Sequence, residues 1–465
     1  MSNHPTVIVI LGGTGDLAKT KLIPAFFDLF CAGYLPDDFV ILGISRKILT
    51  NEEFAHLVSE SIRKRVGVSN DDIRAFLSHL RFLQGALDVP TDYELLSREL
   101  HRMDTTRGVC MNKLFYLATQ PMLYASIFEN LAHSGLSVGC AHHNEGWVRI
   151  VVEKPFGNDL STAIQLDEML GLLFKEEQIF RMDHYLAKES LENILAFRFA
   201  NSLFEPLWSN EHIARIEVKL LESKGIEGRE GFFDAVGQLK DVGQNHVLQM
   251  LAVTVMDNPQ ALTAAAVRSA RAQVLGSLTY SADSLLIKGQ YKGYKSNADE
   301  TSSTTDTYFK IQAEIDSPRW RGVPIILESG KALDRDEVAI EVVFKEKDTF
   351  LIDTTDTIFV QNRVIFRIQP NPAIIVRFWT KKPGYAMDIA PQDAVFPILQ
   401  QTTTRVRDAY EKILLDALTG DQMLFASSKE VHDAWTFIAP ILTTWKDIAP
   451  IEYERGAHPG SITHS

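Results

Sequence analysis

The sequence predicts two domains of different class, and two observations predict this division. In residues 1–200, short apolar runs alternate with helical segments, which is typical of a doubly wound parallel sheet covered on both faces. In residues 201–465, apolar and polar residues alternate along the strands, which indicates an α+β domain with a large, mainly antiparallel sheet backed by helices. The length of 465 residues also exceeds what a single core supports.

Residues 1–200 contain alternating strand and helix patterns. Thr6–Leu11 is β-branched and continuously apolar, as in a strand buried on both faces. The elements expected after it, in chain order, are a Gly-rich turn, helix 16–31, strand 39–44, helix 51–66, strands 113–117 and 148–152, helix 161–174 and strand 178–182. This alternation predicts the doubly wound parallel sheet.

Residues 201–465 begin with Ile213–Leu221, whose apolar and polar residues alternate as in a half-exposed antiparallel strand. The further elements expected are strands 307–315, 338–344, 363–368 and 374–379, helical regions 231–255 and 402–418, and a frayed tail at 454–465. We therefore predict an open antiparallel sheet that is backed by helices.

Composition and charge exclude several classes of protein. Apolar residues make up 45% of the chain, an ordinary value for a soluble globular protein. The formal net charge of −13, from 47 basic and 60 acidic residues, argues against non-specific binding of nucleic acid. Cys31, Cys110 and Cys140 show no CxxC or metal-ligand spacing, as a reducing cytosol permits. The first apolar run is too short for a signal peptide or membrane span, so we expect a cytoplasmic protein.

A Gly-rich loop, GGTGDLA at residues 12–18, joins the first strand to the first helix. Gly12 can make the tight turn, and Gly15 lets the backbone approach a pyrophosphate at the helix N-terminus, where free N–H groups favour anions. The loop predicts a Rossmann-like, dinucleotide-binding domain. Its spacing is GxxGxxA rather than GxGxxG, so a plain strand-to-helix turn is the alternative.

The residues after the second strand favour NADP over NAD. NAD-binding folds usually carry an acid there, which holds the ribose 2′-hydroxyl. Here the chain reads Ser45-Arg46-Lys47. Arg46 can pair with a 2′-phosphate, which an acid would repel. The alternative is a solvated basic turn.

Two separated segments carry the groups that a dehydrogenase needs. RMDHYLAKE, residues 181–189, offers a carboxylate, an imidazole, a phenol and an ammonium, and KDVGQNH, residues 240–246, offers another carboxylate and imidazole. A carboxylate can hold a distant histidine in one tautomer and stabilise its protonated form, which makes a general base. The cationic groups could hold an anionic substrate beside it. With the nucleotide loop, these segments predict oxidation of a phosphorylated alcohol.

Seven segments in order carry a resemblance that covers nearly the whole chain. They are GGTGDLAKTKLIPAFFDL, EKPFG, RMDHYLAKE, EGREGFFDAVGQLKDVGQNHVLQML, STTDTYFKIQAEID, RWRGVPIILESGK and DAYEKILLDALTGDQMLF. Together they resemble the glucose-6-phosphate dehydrogenase family. The resemblance implies NADP-dependent oxidation of glucose 6-phosphate at C1 to the 6-phosphogluconolactone, the first step of the oxidative pentose phosphate pathway.

The resemblance also implies residue roles. His246 would be the general base and Asp183 its orienting partner. The substrate phosphate would be held by His184, Tyr185 and Lys188, and Lys154 would contact both sugar and nicotinamide. The other substrate-binding residues would be Glu222, Asp241, Lys331 and Gln369. The cofactor-binding residues would be Gly12, Thr14, Gly15, Asp16, Leu17, Arg46, Ala118 and Lys154.

The chemistry of the residues agrees with these roles. A base must remove the hydroxyl proton before hydride leaves, and histidine has the nearest suitable pKa. His184 and Lys188 are four residues apart, so one helix face would present both to the phosphate and leave Asp183 to meet His246. Lys154 ends a strand at the edge that faces the ligand crevice. We expect no metal, because hydride passes directly to the nicotinamide.

Four positions depart from the family pattern. Ala187 replaces a glycine and favours a helix there, and Gln120 replaces a proline and loosens a loop beside the coenzyme. Glu328 stands where an arginine helps to hold a second, structural NADP in some members, so we expect this extra site to be absent. Asp336 aligns with a substrate-binding arginine of some members, and Arg335 lies one position away.

Two other functions stay open on the sequence alone. A related NAD(P)-dependent dehydrogenase of non-phosphorylated sugars would not need the anion site. A non-catalytic NADP-sensing protein would keep only the nucleotide loop. Because the open sheet of the second domain must be covered, we expect a homodimer or homotetramer.

Overall fold

The structure is a computed structural model that describes residues 4–63, 69–139, 146–228, 230–281, 283–294, 303–347, 349, 360–398 and 407–463. The chain divides into two units. Unit 1 comprises residues 1–187 and 407–428, and unit 2 comprises residues 188–406 and 429–465.

The strands supply a large share of the buried core. They are, in chain order, β1 (Thr6–Leu11), β2 (Phe39–Ser45), β3 (Leu80–Gln84), β4 (Asn112–Leu117), β5 (Val148–Glu153), β6 (Ile179–Met182), β7 (Ile213–Leu221), β8 (Leu278–Thr279), β9 (Leu286–Tyr291), β10 (Tyr308–Ile315), β11 (Ile325–Gly330), β12 (Glu337–Phe344), β13 (Arg363–Gln369), β14 (Ala373–Lys381), β15 (Ile389–Pro397), β16 (Phe425–Ala426) and β17 (Ile451–Tyr453).

The helices pack on these strands or connect them. They are α1 (Ile23–Cys31), α2 (Asn51–Ile62), α3 (Asn70–Ser78), α4 (Pro90–Arg107), α5 (Tyr124–His133), α6 (Leu160–Leu173), α7 (Glu189–Phe199), α8 (Glu230–Gln238), α9 (Leu248–Val255), α10 (Ala264–Gly276), α11 (Ala409–Thr419) and α12 (Ser428–Trp445). Two segments, Ala18–Leu22 and Leu239–Val247, are π-helical and continue directly into α1 and α9.

The sheet of unit 1 has the strand order β3-β2-β1-β4-β5-β6, and these strands are parallel, with β16 added antiparallel to β6. Every residue of β1 is buried, as its continuous apolar run predicts. The strand order reverses on either side of β1, and this is the point where open α/β sheets hold their ligands, beyond the carboxyl ends of the strands.

The sheet of unit 2 is mainly antiparallel and has the order β15-β14-β13-β12-β7-β11-β10-β9-β17. Strand β7 pairs in parallel with β11 and antiparallel with β12, which in turn pairs antiparallel with β13. Strands β7, β11 and β13 therefore run in the same direction and end at one edge of the sheet.

The predicted fold class is confirmed, and several element boundaries needed correction. The long helical region predicted at 231–255 is interrupted at Gly237, whose φ of +73° and ψ of 168° are not helical. The helix predicted at 51–66 ends at Ile62, and residues 64–66 and 402–406 of the two predicted helices lie outside the described residues. The polar strand β3, the strand β9 and the edge strand β15 were not predicted, because their alternation is weak.

The cysteines differ in state. Cys31 is free, whereas Cys110 is disulfide-bonded. Cys140 lies outside the described residues. Among the described residues, no helix is both long enough and apolar enough to pass through a bilayer.

Candidate active site

A cavity of about 790 Å³ opens in unit 1 at the carboxyl ends of β1, β2, β4 and β5. Its lining includes each of the residues that the sequence assigned to the coenzyme: Gly12, Thr14, Gly15, Asp16, Leu17, Arg46, Ala118 and Lys154. These positions span more than 140 residues of chain, and the parallel sheet brings them together because its strands all end at this edge.

The glycine loop takes a shape that other residues would disturb. Gly12 has a φ of +102°, and an added Cβ would overlap the carbonyl oxygen of Ala118. Its N–H donates to the carbonyl of Ile44 at 2.9 Å, and the N–H of Gly15 donates to the carbonyl of Gly12 at 2.8 Å. Gly13 packs so closely on β2 that a Cβ would lie 2.7 Å from the Gly43 Cα. The loop is therefore pinned between β2 and β4.

A helical segment begins within the GGTGDLA sequence, at Asp16, and runs without interruption into α1. Its first two residues, Asp16 and Leu17, line the cavity, and the free N–H groups at a helix start suit a pyrophosphate. Arg46 is exposed on the other side of the cavity, with Ser45 and Lys47 beside it. No acid occupies residues 45–50, so the residues present fit a coenzyme with a 2′-phosphate.

Lys154 and Glu153 form the wall of the cavity at the end of β5. Lys154 precedes a cis peptide bond to Pro155 and is half-buried. The Glu153 carboxyl accepts a hydrogen bond from the Tyr116 hydroxyl at 2.5 Å. Burial raises the pKa of Glu153 to about 7, against the opposing effects of Tyr116, Lys154 and Tyr410.

The segment after β6 forms a turn rather than a helix. Residues 184–187 are in turn conformation, and α7 begins only at Glu189, with Lys188 as an extended N-cap residue. The predicted helix face shared by His184 and Lys188 is therefore wrong. The turn forms because the Asp183 carboxylate accepts the N–H of Tyr185 at 2.9 Å, which is a local alternative to the helix.

The six predicted residues of unit 2 lie on three kinds of element. Glu222, Lys331 and Gln369 come at the ends of β7, β11 and β13, which meet at one edge of the sheet. The Lys331 ammonium pairs with the Glu222 carboxylate, and the Lys188 ammonium donates to the Gln369 amide oxygen at 2.5 Å. This edge thus presents two ammonium groups, each beside an acceptor.

Asp241 and His246 lie on the π-helical segment Leu239–Val247. The His246 side chain is buried, and the main-chain N–H of His246 donates to the Asn245 side-chain oxygen at 2.7 Å. The segment begins at Leu239, whose N–H donates to the Asp306 carboxylate at 2.7 Å. Burial raises the pKa of Asp306.

Comparisons with known proteins agree with this geometry. Residues 9–193 match the family described as "Glucose-6-phosphate dehydrogenase, NAD binding domain", and residues 195–463 match "Glucose-6-phosphate dehydrogenase, C-terminal domain". The chain belongs to the glucose-6-phosphate dehydrogenase family.

Individual members of the family cover nearly all of this chain. Glucose-6-phosphate 1-dehydrogenase of Aggregatibacter actinomycetemcomitans is 37% identical over 454 residues, which are 94% of this chain and 90% of the relative. "Glucose-6-phosphate 1-dehydrogenase 5, cytoplasmic" of Arabidopsis thaliana is 34% identical over 467 residues, 97% of this chain and 88% of the relative. A solved glucose-6-phosphate dehydrogenase in complex with glucose 6-phosphate superimposes with a TM-score of 0.89 at 32% identity, covering 98% of this chain and 95% of that one.

The structure gives the burial and contacts of the four positions that depart from the family pattern. Ala187 is buried in the turn, so the predicted helix does not explain it. Gln120 is exposed at the mouth of the cavity. Glu328 is buried and accepts the Tyr308 hydroxyl at 2.5 Å. Arg335 pairs with two neighbouring carboxylates, Asp334 and Glu337, while Asp336 accepts from Ser223.

Sequence reasoning missed several residues of these sites. Gly13 stands inside the GGTGDLA loop, and the two adjacent glycines at its start could have indicated this residue. Glu153 stands inside the quoted EKPFG segment, but nothing local indicated that its carboxyl would be buried. Tyr410 hydrogen-bonds to Glu153, and the Asp306 carboxylate accepts the first N–H of the π-helical segment that carries His246. Both are distant in sequence from their partners and gave no local signal.

Proposed function

We propose that this chain oxidises glucose 6-phosphate at C1 with NADP, giving 6-phosphoglucono-1,5-lactone in the first step of the oxidative pentose phosphate pathway. One observation carries the proposal: the eight coenzyme residues expected from the family line a single cavity. The family membership and the solved substrate complex of a relative support the choice of sugar. We propose residues 1–200 as the coenzyme domain and residues 201–465 as the substrate and dimerisation domain.

The coenzyme would be held by the glycine loop and Arg46. The N–H groups at the start of the first helix favour the pyrophosphate, and Gly12 and Gly15 leave room for it. Thr14, Asp16, Leu17 and Ala118 complete this wall of the cavity. Arg46 would pair with the 2′-phosphate, since its exposed guanidinium lies at the end of β2. When bound, NADP supplies the hydride acceptor, so we expect no metal to take part.

We assign the substrate phosphate to His184, Tyr185 and Lys188. The Lys188 ammonium supports this role because it donates to the Gln369 amide oxygen, at the sheet edge where Glu222 and Lys331 also lie. An ammonium group at this edge can donate to phosphate oxygens.

The sugar hydroxyls would be held by Glu222, Asp241, Lys331 and Gln369, together with Lys154. Three of these residues end strands at one sheet edge, and rigid strand ends hold side chains in fixed positions. The ion pair of Lys331 with Glu222 offers both donors and acceptors for hydroxyl groups.

His246 would remove the proton of the C1 hydroxyl, and Asp183 would orient its ring. His246 is buried, so one tautomer must be selected by a neighbour. The Asp183 carboxylate is also buried, and the Tyr185 N–H fixes one of its oxygens. We expect His246→Ala to lower kcat by about 10²–10⁴ while coenzyme binding is retained.

The deciding experiment follows the absorbance of reduced coenzyme with NADP or NAD, and with glucose 6-phosphate or glucose. Rapid reduction only with the phosphorylated sugar supports the proposal. Lys188→Ala should raise KM for glucose 6-phosphate by about tenfold or more and leave any activity on glucose unchanged. Lys429→Ala is the matched control, because Lys429 pairs with Asp433 on the exposed face of α12.

Two other outcomes would replace this function. Equal effects of Lys188→Ala on both sugars would indicate a dehydrogenase of non-phosphorylated sugars. NADP binding without turnover of any sugar phosphate would indicate the NADP-sensing protein.

We also propose that unit 2 forms a homodimer through its edge hairpin, and that dimers can pair into a tetramer. Phe378, Val395 and Phe396 of β14 and β15 are about half exposed, and Tyr385 and Met387 between these strands are exposed as well. A second copy would cover this apolar surface. Sedimentation at micromolar concentration should show a dimer or tetramer, and Phe396→Asp should shift it toward monomer. Leu262→Asp changes another exposed apolar residue of unit 2 and should not.

A cytoplasmic location is also a proposal, supported by the name of the Arabidopsis thaliana relative. The disulfide at Cys110 argues in the opposite direction, because the cytosol keeps thiols reduced. Counting free thiols in protein that was alkylated during cell lysis would decide between the two.

A further inference from the structure

The carboxyl of Glu153 is held in the wall of the coenzyme cavity, although the proposed mechanism gives it no role. Glu153 is the last residue of β5 and lines the cavity together with Lys154. Tyr116 of β4 donates to its Oε1 at 2.5 Å, and Tyr410 of α11 hydrogen-bonds to the same carboxyl. Tyr124 of α5 donates to the Glu153 main-chain carbonyl at 3.1 Å. Three elements of unit 1 thus fix this residue.

The charge on Glu153 depends on opposing influences. Burial disfavours the carboxylate and is the largest effect, and the nearby charge of Asp183 acts in the same direction. Lys154 and the hydroxyls of Tyr116 and Tyr410 favour the carboxylate. The pKa therefore lies at about 7. Glu153 changes from mostly neutral to mostly charged between about pH 6 and pH 8.

This charge lies where it can distinguish the two forms of the coenzyme. The nicotinamide ring of NADP carries a positive charge when oxidised and none when reduced. The family resemblance implies that the nicotinamide lies at Lys154, the residue next to Glu153, and both residues line the cavity. An anion in this wall would favour the oxidised ring, because the wall is partly shielded from water.

We propose that Glu153, held by Tyr116 and Tyr410 beside Lys154, sets the preference of the coenzyme site for oxidised over reduced NADP through the charge of its carboxyl. The proposal rests on the proposed function for the identity of the coenzyme and the position of its nicotinamide. It makes Glu153 a positioning and specificity residue rather than a base, because no proton of the substrate passes through it.

The test is the ratio of two dissociation constants, for reduced and for oxidised NADP, measured from pH 6 to pH 8. NADPH fluorescence gives the first constant and competition by NADP gives the second. Both forms carry the same 2′-phosphate, so ionisation of that group cancels in the ratio. In the wild type, the ratio of the reduced to the oxidised constant should rise on the order of tenfold over this range.

Three variants separate the charge of Glu153 from a structural effect. Glu153→Gln keeps the shape and should make the ratio constant with pH. Tyr410→Phe removes one donor to the carboxylate and should move the midpoint of the change to higher pH, which loss of packing alone would not do. Glu94→Gln removes one exposed carboxylate from α4 of the same unit and should leave the wild-type profile unchanged.

The outcomes distinguish this proposal from the function on which it rests. A wild-type ratio that is constant with pH, or a Glu153→Gln ratio that keeps the wild-type dependence, overturns the role of Glu153 while NADP binding stands. Failure of both wild type and Glu94→Gln to bind either form overturns the proposed coenzyme, and the role of Glu153 with it. If Glu153→Gln does not fold, an unmoved midpoint in Tyr410→Phe overturns the proposal.

Discussion

Replacing Gly12 with alanine is expected to weaken coenzyme binding beyond what the loss of glycine alone explains. Gly12 has a φ of +102°, so an alanine there is strained by about 1–2 kcal/mol. The added Cβ would also overlap the carbonyl oxygen of Ala118 and lie 3.0 Å from its carbonyl carbon. Either the loop or the end of β4 must then move. Because both line the cavity, we expect NADP affinity to fall at least about tenfold, or roughly 1.4 kcal/mol.

Gly33→Ala is the matched control in the same unit. Gly33 follows α1 with a φ of +71°, and an added Cβ would have no neighbour within 4 Å. This variant should lose about 1 kcal/mol of stability from strain and keep the wild-type affinity for NADP. Thermal unfolding measures the stability of both variants, and a titration of NADPH fluorescence measures binding. Unchanged affinity in Gly12→Ala, or an equal loss in Gly33→Ala, would refute the close contact of the loop with Ala118.

Three further variants test separate parts of the two units. Arg46→Ala should weaken NADP binding by about tenfold and leave NAD binding unchanged, because only NADP carries the 2′-phosphate. Equal changes in the titrations of NADP and of NAD would contradict this. Asp306→Ala should lower the free energy of unfolding by about 1 kcal/mol and also lower kcat, since the N–H of Leu239 loses its acceptor. Asp306→Asn keeps an acceptor oxygen and should retain most of the stability and most of kcat. Burial raises the pKa of Glu153 from 4.5 to about 7, so stability from its neutral form is complete below pH 4.5 and is lost as pH rises through 7. The unfolding free energy of Glu153→Gln, measured relative to the wild type, should therefore be about 3 kcal/mol higher at pH 8 than at pH 4.5. An equal difference at the two pH values would be inconsistent with a buried, ionising carboxyl.

Local sequence patterns predicted those strands whose pattern of burial is regular along the whole strand. Strands β1 and β7 have the predicted bounds, because continuous burial and strict alternation each leave a complete mark on the sequence. The glycine loop was equally visible, since the φ of Gly12 and the close approach of Gly13 to β2 admit only glycine.

Competition between local structures misled the prediction at residues 184–188. The spacing of His184 and Lys188 fits a helix, but the Asp183 carboxylate binds the N–H of Tyr185 and forms a turn instead. A short polar side chain can satisfy the backbone in either way, and the surrounding packing selects one. Similarly, Gly237 interrupts a region whose apolar pattern is continuous.

The sequence by itself determined the fold class, the nucleotide loop and the identity of the residues that carry charge. Only the tertiary structure decided which charges are buried and what they contact. Glu153 meets a tyrosine 257 positions away, Tyr410, and Asp306 holds a helix that begins 67 positions earlier, at Leu239. Such contacts leave no local periodicity, because they depend on how elements pack. The pKa of a carboxyl depends on that packing too, since burial and neighbouring charges set it.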